Sequence, residues 1–229
     1  MNIPLYIFSN ISNFIPLIPF FFIYKKNEKP FHIIFLILLL GVFNDGISFI
    51  IFNYLRQYHF HLKINDLYRI ICLGLWLKFF HELYKHKLLK KYLTIFITGV
   101  IILIINWTYI YTHHININSL FEDIYVDIIF IYLCLKGINN QIFKEITNKY
   151  KIDGILIFYI AMCIFYSYHL FVMSIYFLEV PLKIKIQPDL FNVVPFLNIL
   201  INMVYTFSVC FFPKKQTFKF KNQLNESNI

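Results

Sequence analysis

The stretch Phe31–Ile50, FHIIFLILLLGVFNDGISFI, decides the fold. Its first ten residues contain one ionisable group, His32, and show no alternation of apolar with polar positions. A strand of a transmembrane barrel alternates with period two, one side to lipid and one to the lumen. A helix crossing a hydrocarbon core of about 30 Å needs instead about 20 consecutive apolar residues, because each adds about 1.5 Å. This stretch, continued to Tyr54, meets the second requirement and fails the first. Tyr92–Asn106 behaves in the same way. The fold class predicted is all-α, a polytopic membrane helix bundle.

Working outward, six further apolar runs are candidate spans: 3–24, 67–84, 92–111, 120–135, 154–178 and 191–212, beside 31–54. The third is interrupted by Arg69, Lys78, His81 and Glu82, and the fifth is short with acids at its start. Pro16 and Pro19 predict a kink in the first, since each removes a helical donor and crowds the preceding turn. That run has neither a basic leader nor a small-residue cleavage site, so a cleaved signal peptide is not expected. Tyr24, Tyr54, Tyr84, Tyr92, Trp107, Tyr109 and Tyr111 mark run ends, where amphipathic rings favour the interface.

Composition supports this reading. Of 229 residues, 59% are apolar and 14% charged, against about 25% charged in soluble domains. Mean hydropathy is +0.64. A soluble chain of this length buries only about 70% of its surface, too little to hide so much apolar area. Intrinsic disorder is excluded by the same numbers. The net charge of +9 is explained by orientation in lipid rather than by nucleic acid. Fifteen basic residues fall on one side of the seven runs: Lys25, Lys26, Lys29, Lys85, Lys87, Lys90, Lys91, Lys136, Lys144, Lys149, Lys151, Lys214, Lys215, Lys219 and Lys221. Five fall on the other, Arg56, Lys63, Arg69, Lys183 and Lys185, and Lys78 lies within a span. The positive-inside rule then sets the N-terminus outside and the C-terminus in the cytoplasm. It predicts a seven-helix transmembrane domain over 1–212, in the cell (inner) membrane, and a basic, polar cytoplasmic tail over 213–229. The basic face is expected to meet anionic lipids of the bilayer.

Ionisable groups inside a bilayer are costly and usually face a bundle interior, which makes them the best functional pointers. Asn44, Asp45 and Ser48 lie in the second run, Asp127 in the fifth, His169 in the sixth and Asn198 in the seventh. At about 1.5 Å per residue, Asp45 is about 21 Å from the inner interface and Asp127 about 10 Å below the outer one. Asn10 and Asn13 fall in the same outer half. Asp123 precedes Asp127 by one helical turn, beside Glu122. This common depth predicts a polar cavity near the external side, in which Asp45 and Asp127 share a proton or accept a cation. The competing reading, weighted equally for the two aspartates, is interhelical hydrogen bonding without a ligand. Lys78, His81 and Glu82 form a secondary cluster in the inner half of the third run, where Lys78 and Glu82 are one turn apart. Cys72, Cys134, Cys163 and Cys210 have no metal or disulfide spacing. His81 and His86 do not share a helix face, and the loop pairs His59/His61 and His113/His114 read as solvated. No metal site and no cofactor is expected.

Seven helices with an external N-terminus look like the rhodopsin-type plan in topology alone. The last run, FNVVPFLNILINMVYTFSVCFF over 191–212, lacks the lysine a retinal protein needs. It also lacks the histidine with which the ceramidase and progestin-receptor type of hydrolase completes its zinc site. Overall length, the proline-bearing first run, the Lys-rich first loop and the FNDGIS turn over 43–48 resemble small, uncharacterised seven-helix proteins of low-GC Bacteroidota. That resemblance spans the chain but implies no activity.

The function expected is a receptor-like sensing or accessory module that acts through a separate protein partner. An intramembrane lipid-modifying enzyme using Asp45, Asp127 and His169 is the alternative, and a proton-coupled transporter comes third. Nucleotide loops and nucleophile elbows are absent, so the balance leans away from an enzyme.

Overall fold

A computed structural model describes residues 3–24, 29–51, 58–84, 89–113, 120–145, 154–182 and 189–212. The tail over 213–229 and most of the loop lysines lie outside these, as do the side chains of His59, His61, His113 and His114. Every regular element among the described residues is helical: α1 Ile3–Ser12, α2 Leu17–Ile23, α3 Lys29–Ile50, α4 Tyr58–Tyr84, α5 Leu89–His113, α6 Leu120–Glu145, α7 Gly154–Leu182 and α8 Asp189–Cys210.

α1 and α2 are two pieces of the first run, broken where the prolines predict. Pro16 has no N–H for the Ser12 carbonyl, and that carbonyl accepts instead from Ile15 N at 3.0 Å. Tighter i→i−3 bonds carry the chain through 13–16, which leaves Asn13 on the inside of the bend. α4 starts nine residues before the run assigned to it. No glycine or proline lies between Ile51 and Gly74 to stop a helix, so HLKIND over 61–66 is absorbed into it. α6 continues to Glu145, into the polar segment 136–153, which reads from sequence as a helical extension of the fifth or sixth run.

Contacts fix the directions of the rods. Asp127 meets His169, while ten residues further on Gly137 faces Tyr159, so α6 and α7 run antiparallel. Asn44 meets Asn65 and Phe31 meets Phe79, so α3 and α4 do too. Ser9 and Phe20 meet Asn198 and Phe212, so the broken first rod runs parallel to α8. One end of the bundle thus carries the starts of α1, α4, α6 and α8.

The opposite end is packed tightly. A Cβ on Gly137 would lie 2.6 Å from the Tyr159 ring, and one on Gly154 would lie 2.3 Å from the Ser208 carbonyl. Small residues there let backbones approach closely. Between the ends lies an aromatic core that includes Trp76, Phe79, Phe80, Phe130, Phe158 and Tyr159.

Outward faces are apolar rather than polar. Phe43 is 58% exposed, Ile105 62% and Phe196 54%. Thr94, Thr98 and Thr108 on α5 return their hydroxyls to carbonyls one turn back, at 2.8–2.9 Å. Among the described residues, four helical stretches are long and apolar enough to cross a membrane: Lys29–Ile50, Lys90–Thr108, Gly154–Ile175 and Val193–Cys210. α4 and α6 are not among the four. These two carry Asp66, Arg69, Glu122, Asp123 and Asp127.

Candidate functional site

Arg69 sits three turns into α4. Its neighbours across the interface are Asp123 and Asp127, one turn apart on α6 and therefore on one face. One terminal guanidinium nitrogen donates to Asp123 Oδ1, and the other to Asp127 Oδ1 at 2.8 Å. Asp127 Oδ2 bonds His169 Nδ1 from α7 at 2.6 Å. Asp127 is fully buried. Two carboxylates on one guanidinium and one imidazole form a charge-assisted chain across three helices, the geometry in which such bonds are strongest.

A second network joins α1, α3 and α8. The Asn13 amide, at the break after α1, donates to Asp45 Oδ2 on α3. The Asn13 carbonyl accepts from Asn198 at 3.2 Å and from Asn202, both on α8. Asn198 also donates to Ser9 Oγ at 2.9 Å, and Asn202 to Ser12 Oγ at 2.9 Å. The proline break explains this network locally: it holds Asn13 where a straight helix would have kept turning.

Both networks border one cavity of about 360 Å³. Arg69 and His169 line one side, and Asn13, Asp45 and Asn198 the other, with Tyr68 and Cys72 on α4 between them. Trp76, Phe130, Phe158, Tyr166 and Tyr205 form the deep side. These rings continue into each other: Phe130–Tyr166 and Phe158–Tyr205 have centroids 4.6 Å apart, and Trp76–Phe158 5.8 Å. From Asn65 at the rim to Trp76 at the floor, eleven residues of helix span about 16 Å. A polar rim over an aromatic floor, at this volume, is the composition of a small-molecule site.

Of the residues singled out from sequence, Asp45, His169 and Asn198 line the cavity, and Asp127 stands behind His169 and Arg69. Asp45 and Asp127 are not one pair: each has its own partners, in a different network. Asn44 and Ser48 are buried but do not line the cavity. Asn44 donates to Asn65 at 3.4 Å, and Ser48 Oγ has no hydrogen-bond partner among the described residues. The secondary cluster does not assemble. Lys78 is exposed, His81 lies edge-on to Tyr92 at 6.5 Å, and no ion pair among the described residues joins Lys78 to Glu82.

Arg69 is the residue that sequence reasoning missed, having been assigned to the external side as a positive charge. The signal was the Asp123/Asp127 pair, since two carboxylates one turn apart inside an apolar bundle demand a cation. Glu122 was noted only as interfacial. It is fully buried, and neither carboxyl oxygen has a hydrogen-bond partner among the described residues. Comparison with protein-family models, curated proteins and solved structures gives no match for this chain.

Proposed function

We propose that this chain is a multi-pass membrane protein that binds a small molecule in the cavity between its two polar networks. In this reading it serves as a receptor-like sensing or accessory module. The carrying observation is the polar-walled, aromatic-floored cavity of about 360 Å³, bounded by side chains from six separate rods. Rods linked across a cavity by hydrogen bonds can shift together when a ligand replaces those bonds, which is how binding reaches a distant face. The signal would then pass to a separate protein.

Membrane placement is supported by the apolar outward faces and the four long apolar helices. Contiguous apolar surface on that scale is not tolerated in water. α4 and α6 join the bundle as spans because their charges face each other. The lysine distribution supports seven spans in the cell membrane, with the N-terminus outside, so the cavity end faces the exterior.

The test is the Asp45→Asn, Asp127→Asn double variant in intact membranes. The reading expects loss of every ligand-dependent change in stability and in partner association. A double variant that responds as the parent does would contradict it.

One observation favours a second reading. His169 lines the cavity and its Nδ1 is held by Asp127 at 2.6 Å, an arrangement that leaves Nε2 free for proton transfer. An intramembrane enzyme acting on a lipid would use it so. Turnover of a lipid by the parent, lost in His169→Gln, would establish that reading over the first.

A further inference from the structure

Charge is distributed unevenly between the two networks. Both terminal nitrogens of Arg69 are taken by Asp123 and Asp127, and Asp127 also holds His169. An anion entering from the cavity would have to compete with two carboxylates already in contact. Asp45 is placed differently. Its Oδ2 accepts from a neutral amide, Asn13, and no cationic side chain among the described residues pairs with it. Across the site one guanidinium and one imidazole face three carboxyl groups, Asp45, Asp123 and Asp127, so acidic groups outnumber basic ones.

A carboxylate without a counter-charge, in a cavity far larger than a bare ion and floored by π faces, is complementary to one kind of molecule. Ring faces attract cations, and do so more strongly when both are out of water. From this geometry we infer that the cavity takes a singly charged organic ammonium, its cationic head on Asp45 and its apolar body toward the Tyr205 and Phe158 rings. This rests on the cavity being a binding site, as argued above, and names its ligand class. An inorganic cation would leave the aromatic floor without a partner. A carboxylate ligand would find no unspent cation.

The test uses the full chain in lipid nanodiscs and three probes of one shape: phenethylammonium, 2-phenylethanol and phenylacetate. Calorimetric titration should give the ammonium at least about tenfold higher affinity than the alcohol, the value of one charge-assisted bond, and no binding of phenylacetate. Asp45→Asn should bring ammonium and alcohol together, and Asp45→Glu should retain the preference. Continued binding of 2-phenylethanol by Asp45→Asn shows that this variant is folded. Equal affinities in the parent, a preference for phenylacetate, or a preference that survives Asp45→Asn would each overturn the ligand class while leaving the cavity a binding site. Binding of none of the three would remove both.

Discussion

The wall built from α4, α6 and α7 is held by charge, whereas the wall built from α1, α3 and α8 is held by amides and hydroxyls. In the first, Arg69 bonds both Asp123 and Asp127, and Asp127 also bonds His169, so each group depends on the rest for its partners. In the second, Asn13 is a neutral hub bonded to Asp45, Asn198 and Asn202. The difference teaches that the two aspartates have unlike roles. Asp127 is a structural carboxylate held by the Arg69 guanidinium and the His169 ring. Asp45 has no cationic partner among the described residues.

Stability measurements can break or sharpen that contrast. The largest effect is expected from Arg69→Leu, which strands two buried carboxylates and should cost about 3–5 kcal/mol in reversible unfolding in mixed micelles. Adding Asp123→Asn and Asp127→Asn to it should recover much of the loss, because the uncompensated charge is then gone. An Arg69→Leu protein as stable as the parent would show that the charged wall is incidental. Asp127→Asn alone should cost about 1.5–3 kcal/mol, the range for hydrogen bonds to a charged group. On the neutral wall, Asn13→Ala should cost only about 1–2 kcal/mol, since interhelical bonds in membranes average about 0.6 each. The smallest effect is the coupling between walls. Asn13→Ala and Arg69→Leu should add to within about 0.5 kcal/mol, while Asn13→Ala and Asn202→Ala should couple by more than that. Coupling between the walls as large as coupling within one would make them a single network.

Much of this site was legible in the sequence because polar groups are costly in hydrocarbon and must collect where they can be satisfied. Asp45, Asp127, His169 and Asn198 stood out for that reason, and Pro16 announced the break that places Asn13. What hydropathy could not supply was which faces meet. Asn44 and Ser48 share the run of Asp45, yet neither lines the cavity, and Asn44 bonds Asn65 on α4 instead, because successive helical residues point about 100° apart. Arg69 was counted as an external charge because the orientation rule reads positive residues by loop, and a helix continuing without a breaker from Tyr58 carried it into the bundle. The seven-run reading fits the rods observed, while the start of α4 moved because no Gly or Pro lies between Ile51 and Gly74.

The account turns on whether the space between the walls is reached by water from outside. α4 offers the cleanest gauge, since Asn65, Tyr68 and Cys72 line the cavity while Leu67 and Ile71, on the same helix, are 48% and 44% exposed on the outer face. Single-cysteine chains retaining Cys72, or bearing Asn65→Cys, Tyr68→Cys, Leu67→Cys or Ile71→Cys, would be treated on intact cells with a charged, membrane-impermeant thiosulfonate. The account predicts reaction at 65, 68 and 72 and none at 67 and 71. Reaction at 67 and 71 as fast as at 65 and 68, or silence at all five until the cells are opened, would contradict it.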